Sequence, residues 1–161
     1  MNVLHKTLSK IPVREIRLGY RAVVLFLPEN LDDEQIGYTR AEDGSILSGD
    51  ASGDWRKSWI VVGYEDETGD PIFVDSAEAA LPVYTAIHGQ GEWEPELLSN
   101  SFSGFIEALM AVHDISANRD NPVKLSSNPL SESEADRLLA KIRQSTKVED
   151  VLFWESWITT E

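Results

Sequence analysis

The clearest pattern along the chain is a set of short apolar runs separated by polar turns. Residues 22–27 form one run, rich in residues that favour strands and stopped by Pro28. Residues 59–64 form a second run that is apolar at nearly every position, as expected of a strand covered on both faces. Both runs are therefore predicted to be strands.

A polar corner follows the second run and predicts a hairpin. Gly69 in this corner is available for a positive φ angle, which other residues rarely adopt. The apolar run 71–75 then returns, so residues 59–75 are predicted to form two antiparallel strands. The acidic residues of the corner are Glu65, Asp66, Glu67 and Asp70.

Further strands are predicted on both sides of the hairpin. Residues 83–87 form an apolar run that starts after Pro82 and ends before a glycine-rich break, and residues 93–98 are a candidate fourth strand. The stretch from 28 to 54 is polar and acidic and is predicted to be a long connection, with one short strand at residues 36–39.

Helical periodicity is concentrated at the two ends of the chain. A short helix is predicted before Pro12, and a longer one from residue 102 to 113, where apolar residues recur at three- and four-residue spacing. Asn100 or Ser101 can cap the longer helix. A third helix follows the capping-box spacing of Ser131 and Glu134.

Residues 148–158 are apolar, with two tryptophans, and fit either a helix or a strand. We favour a helix, because Thr146 and Glu149 also have capping-box spacing. Strands in the middle and helices at the ends predict an α+β fold, in which helices pack on one side of a largely antiparallel central sheet. A chain of 161 residues has the usual length of one domain, so residues 1–161 are predicted to be a single domain.

The charge of the chain is concentrated in its middle. The whole chain has a formal net charge of −14, of which residues 1–28 carry +4, residues 29–96 carry −14 and residues 97–161 carry −4. Such a field repels nucleic acid and anionic membranes and attracts cationic proteins. It also keeps a protein in solution, which is the simpler explanation.

The sequence favours a soluble, cytoplasmic protein without metal or cofactor. It contains no cysteine, its start lacks the apolar run of a signal peptide, and its longest apolar run is residues 22–27. His5, His88 and His113 are too far apart in sequence to suggest a metal site. We expect His113 to pack or cap a helix, and His88 to bond to the backbone of a turn. No motif of a nucleophile or of a phosphate-binding loop occurs, so no catalytic residue is predicted.

Three tryptophans in the middle of the chain receive different predictions. Trp59 begins the most apolar strand and is predicted to lie in the core. Trp55 and Trp93 stand in acidic, glycine-rich surroundings, where an indole can anchor a protein interface or be partly buried under a loop.

Residues 36–110 resemble the SUKH superfamily, which includes a fungal cell-wall assembly regulator and many bacterial immunity proteins. A strand led by tryptophan turns through an acidic corner into a strand that ends in Asp75; another strand and a helix with Phe102 and Phe105 follow. The segments that carry the resemblance are residues 53–55, 59–64, 69–75, 82–89 and 101–105. It implies a non-catalytic α+β scaffold that binds proteins, in bacteria often a secreted toxin, commonly a nuclease, that it neutralises in the cytoplasm.

The favoured hypothesis is therefore an immunity protein that binds a cationic toxin. Nucleases have positive surfaces to hold phosphate, which an acidic inhibitor complements. The predicted partner-binding residues are Glu65, Asp66, Glu67, Asp70, Trp55 and Trp93. Two alternatives remain: a small-molecule or enzymatic site with a pocket near His88 and Trp93, and a housekeeping interaction module without a toxin.

Overall fold

A six-stranded antiparallel sheet forms the centre of the computed structural model, which describes residues 3–120 and 122–159. Each strand pairs with the next one along the chain, so the sheet is a simple meander. The strands are β1 (Glu15–Leu18), β2 (Arg21–Leu25), β3 (Trp59–Glu65), β4 (Pro71–Asp75), β5 (Val83–Thr85) and β6 (Glu96–Ser99).

The helices of the described residues contribute to one large core on one side of this sheet. Inward-facing strand residues such as Val62, Ile72 and Val83 pack there with Phe105 and Leu109. The α+β fold with helices on one side of an antiparallel sheet is thus confirmed. The helices are α1 (Val3–Ser9), α2 (Phe102–Ala117), α3 (Glu132–Thr146) and α4 (Leu152–Thr159). Across residues 3–120 and 122–159 no helix is long and apolar enough to cross a membrane.

The opposite face of the sheet carries a second, aromatic core. Trp55 and Trp59 pack there against Phe73, with ring centroids 4.6 to 5.3 Å apart. The long connection between β2 and β3 covers this face, and the buried side chain of Gln35 fixes it in place. Its amide donates to the carbonyl of Val61 and accepts from the amide of Val61, each at 2.9 Å.

The predicted helices are all present, and one of their predicted caps is wrong. Ser101 caps α2, and Ser131 and Glu134 form the expected capping box of α3. Residues 152–159 are helical, as favoured, but Thr146 does not start this helix, because α3 runs through Thr146 and ends at Lys147.

One strand prediction is wrong, and one strand was missed. Residues 36–39 contribute only an isolated bridge, because the connection turns back on itself there. Strand β1 was not predicted, although its alternation of exposed Glu15 with buried Ile16 and Leu18 is typical of an edge strand. The predicted hairpin of residues 59–75 is confirmed, and Gly69 has a φ angle of +78°.

The last helix joins the two edges of the curled sheet. Helix α2 packs against both β1 and β6, which lie at opposite ends of the strand order. On α4, the indole of Trp154 donates to the carbonyl of Leu98 in β6 at 3.3 Å. The indole of Trp157 donates to the carbonyls of Leu18 and Arg21, at 3.0 and 3.1 Å. These bonds place α4 at the end of the sheet where β1 turns into β2.

Candidate functional site

A groove of about 690 Å³ lies beside α4 at this end of the sheet. Four strands contribute a terminal residue to it. In an antiparallel meander the end of one strand and the start of the next lie at the same edge of the sheet. Those residues are Arg21 at the start of β2, Glu65 at the end of β3, Thr85 at the end of β5 and Glu96 at the start of β6. The turn from β3 to β4, the connection from β5 to β6 and the first turns of α4 complete the lining.

The groove is strongly acidic. Five carboxylates and one guanidinium line it. Glu92, Glu94 and Glu96 are exposed, and their side chains make no hydrogen bond or ion pair with any other described residue. The two other carboxylates belong to Glu65 and Asp70, and the guanidinium to Arg21.

Glu65 is an internal acceptor and not the exposed contact that the sequence suggested. It is only 4% exposed. Its carboxylate accepts from the amides of Glu67 and Thr68, at 2.6 and 3.2 Å, and from the Thr68 hydroxyl at 2.6 Å. The guanidinium of Arg21 lies 3.5 Å away. The Glu65 carboxylate therefore stabilises the β3–β4 turn, although Glu65 also lines the groove.

The next two corner carboxylates are also engaged within the molecule. Asp66 pairs with Arg17 of β1 and accepts from the amide of Ala22 at 2.7 Å. Glu67 is more exposed and lies 3.4 Å from the Nε atom of Arg21. Arginines of the first hairpin thus neutralise much of the corner, which leaves it less available to a partner than its sequence indicates.

Asp70 connects the corner with the β5–β6 connection through His88. One carboxylate oxygen accepts from the His88 amide at 3.0 Å and lies 2.6 Å from the Nδ1 atom of its ring. Burial alone would raise the pKa of the Asp70 carboxyl, but bonds from His88 and Thr68 outweigh burial and lower it. The prediction for His88 was therefore wrong about the ring, which pairs with a carboxylate rather than the backbone.

The two candidate anchor tryptophans lie together on the other face of the sheet. Trp55 is 2% exposed and packs between Trp59 and Trp93, so it offers no surface to a partner in this structure. Trp93 is half-buried and lines a smaller pocket next to Gly53 and Asp54. Trp59 is 8% exposed, which confirms its predicted place in the core.

Two large aliphatic side chains lie on the rim of the groove. Ile87, just after β5, is 59% exposed, and Leu152, the first residue of α4, is 63% exposed. The next residue of α4, Phe153, is half-buried, and the Cζ atom of Arg21 lies 5.7 Å from its ring centroid. The lining thus combines free carboxylates with exposed apolar surface.

Among the three free carboxylates of the groove, that of Glu96 has a raised pKa. Although the residue is exposed, neighbouring atoms partly desolvate its carboxyl and raise its pKa, and the negative charge of nearby Asp150 raises it further. A cation placed here would relieve both effects, because it compensates the lost hydration and opposes the repulsion.

Sequence reasoning missed the residues of the β5–β6 connection. Glu92, Glu94 and Glu96 alternate with Trp93 and Pro95 in the sequence. This row of acidic residues could have indicated a binding surface, but only Trp93 was predicted to contact a partner. The contribution of Leu152 could not be seen, since it depends on how α4 packs. Among residues 3–120 and 122–159, no three His, Asp or Glu side chains are grouped so that they could hold a metal ion.

Comparisons with family models, with curated proteins and with solved structures found no match for this chain. The resemblance to the SUKH superfamily therefore stays a prediction from the sequence.

Proposed function

We propose that this chain is a non-catalytic binding module for a cationic protein and that the acidic groove is its binding surface. The observation that carries the proposal is the presence of five carboxylates and one guanidinium in a single groove. Three of the carboxylates, those of Glu92, Glu94 and Glu96, have no partner among the described residues. Such a surface attracts basic proteins and speeds their encounter.

An immunity protein is the specific form of this function that we favour. The resemblance to the SUKH superfamily supports it, because many members neutralise toxins in the cytoplasm of the producing cell. A nuclease toxin has a positive surface for phosphate, which fits an acidic groove. A regulatory module with another cationic partner would use the same groove.

Capture of partners from extracts of the source cells tests the proposal. The wild type is compared with Glu92→Lys/Glu94→Lys in the groove and with Glu29→Lys/Glu42→Lys outside it, which changes the net charge equally. We expect a basic protein that the wild type and the outer variant retain and that the groove variant retains at least about tenfold less. Equal retention of the basic protein by both variants would show that the groove is not its binding surface.

A small-molecule site is a second candidate, since the groove volume of about 690 Å³ lies within the range of ligand pockets. The contact of Asp70 with the ring of His88 places an imidazole near its edge. Neither His88 nor Trp93 lines the groove itself. A screen of metabolites by thermal shift, repeated with His88→Ala, tests this candidate: a stabilising metabolite whose effect requires His88 would favour it over protein binding.

A further inference from the structure

We infer that the groove binds a segment of its partner in which basic side chains alternate with apolar ones. The inference rests on the proposed function and makes it more specific, since a cationic protein could also bind through charge alone. The apolar rim and the free carboxylates carry it together.

The aliphatic residues of the rim have no evident role inside the molecule. Leu152 is 63% exposed on a helix whose buried residues are Trp154, Trp157 and Ile158. Ile87 is 59% exposed, whereas its neighbour Ala86 is buried in the aromatic core. Exposed apolar side chains that share a concave surface with polar residues are typical of interaction sites.

The carboxylates of the groove indicate where the basic side chains bind. Glu94 and Glu96 make no bond within the described residues, and Glu96 is also close enough to Asp150 for their charges to repel. Both residues are exposed, so a partner can reach their carboxylates, and partial desolvation of the Glu96 carboxylate without a partner is unfavourable. A cationic side chain from outside supplies the missing partner.

Arg21 shows within the molecule how this surface holds a guanidinium. Its Nε atom lies 3.5 Å from Glu65 and 3.4 Å from Glu67, and its Nη1 atom donates to the Ser156 hydroxyl at 3.1 Å. Its Cζ atom lies over the ring of Phe153, 5.7 Å from the ring centroid. Carboxylates beside an aromatic or aliphatic side chain form a favourable environment for arginine.

A titration with three synthetic peptides, followed by the amide signals of the isotope-labelled protein, tests the inference. One peptide alternates Leu with Arg, the second alternates Ser with Arg at equal charge, and the third alternates Leu with Ser. We expect the Leu–Arg peptide to bind at least about tenfold more tightly than the Ser–Arg peptide, because it also buries aliphatic surface. It should shift the signals of Ile87, Glu96 and Leu152.

Three double variants separate the two contributions. Ile87→Ser/Leu152→Ser keeps the charge and should reduce the affinity for the Leu–Arg peptide to that for the Ser–Arg peptide. Glu94→Gln/Glu96→Gln should weaken both basic peptides, while Glu29→Gln/Glu42→Gln, with the same change in charge outside the groove, should weaken them much less.

The possible outcomes are distinguishable. Equal binding of both basic peptides at the groove would overturn the apolar part and leave the proposed function standing. Binding of the Leu–Arg peptide with signal shifts elsewhere would overturn the groove as its site. Absence of binding by either basic peptide would count against both the inference and the proposed function.

Discussion

Single residues show that the same side-chain type serves different roles a few positions apart. Glu65 was predicted to contact a partner, yet it holds the β3–β4 turn together, whereas Glu94 and Glu96 are free. Sequence alone could not separate them, because the difference depends on three donors that the turn directs at Glu65. A carboxylate at the end of a buried strand is therefore better interpreted as a turn acceptor than as a contact.

Replacing Glu65 with alanine should destabilise the protein by about 1–3 kcal/mol, since partly buried donors and Arg21 lose their acceptor. Urea unfolding measures the change in the free energy of unfolding. Glu67→Ala serves as the control, because Glu67 is exposed, and should change stability by less than about 1 kcal/mol. Similar values for the two variants would contradict the internal role of Glu65.

Asp70 should make stability depend on pH at the acidic end. Its pKa is lower in the folded protein than in the unfolded chain, so its contribution is fully present above the ordinary pKa of aspartate, about 4. As the pH falls through the lower folded value, the carboxylate is protonated and the contribution is lost. Asp70→Asn should thus be less stable than the wild type at neutral pH, and the difference should shrink as the pH falls below about 4. A difference that stays constant from pH 7 to about 2.5 would show that Asp70 does not act through its charge.

Whole elements could be predicted wherever their periodicity was long enough. The hairpin of residues 59–75 and helices α2 and α3 follow directly from apolar runs and capping residues. Strand β1 was missed because it has only four residues, two of them charged, and is recognisable only once Ile16 and Leu18 are seen in the core. The cap of α4 was misplaced because α3 continues through Thr146.

Helix α4 should depend on the indole of Trp157, which satisfies two carbonyls at the β1–β2 turn. Trp157→Phe keeps most of the packing but leaves those acceptors without their donor, at a cost of about 1–3 kcal/mol. Trp93→Phe is the matched control, because Trp93 is half-buried and its indole makes no such bond, and it should cost less. Urea unfolding of both variants checks the difference, and equal losses would mean that the two bonds do not hold α4.

Helices α2 and α3 approach closely at Gly104. A Cβ atom at this position would lie 2.2 Å from the carbonyl oxygen of Ser145, so the helices would have to move apart. Gly104→Ala should therefore destabilise the protein, although alanine is favoured over glycine in an isolated helix. Ser103→Ala, at an exposed neighbouring position, is the control in thermal unfolding. A higher melting temperature for Gly104→Ala would contradict the close approach.

At the scale of the whole molecule, folding redistributes the charge that the sequence displays. The basic first hairpin and the acidic corner are separate in sequence, but Arg17 pairs with Asp66, and Arg21 lies beside Glu65 and Glu67. The corner is partly neutralised as a result, whereas the carboxylates of Glu92, Glu94 and Glu96 in the groove form no ion pair among the described residues. The acidity of the middle segment could be predicted, whereas its free part could not, since the pairing joins residues more than forty positions apart.

The association rate of the captured basic partner, measured across a range of salt concentrations, is the direct test of binding through the acidic groove. For the wild type the rate constant should fall by at least tenfold between about 0.02 and 0.5 M salt, because ions screen the groove. For Glu92→Lys/Glu94→Lys the rate constant should be low already at low salt and should change little. A wild-type rate that does not depend on salt, or a groove variant that associates as fast as the wild type, would contradict binding through the acidic groove.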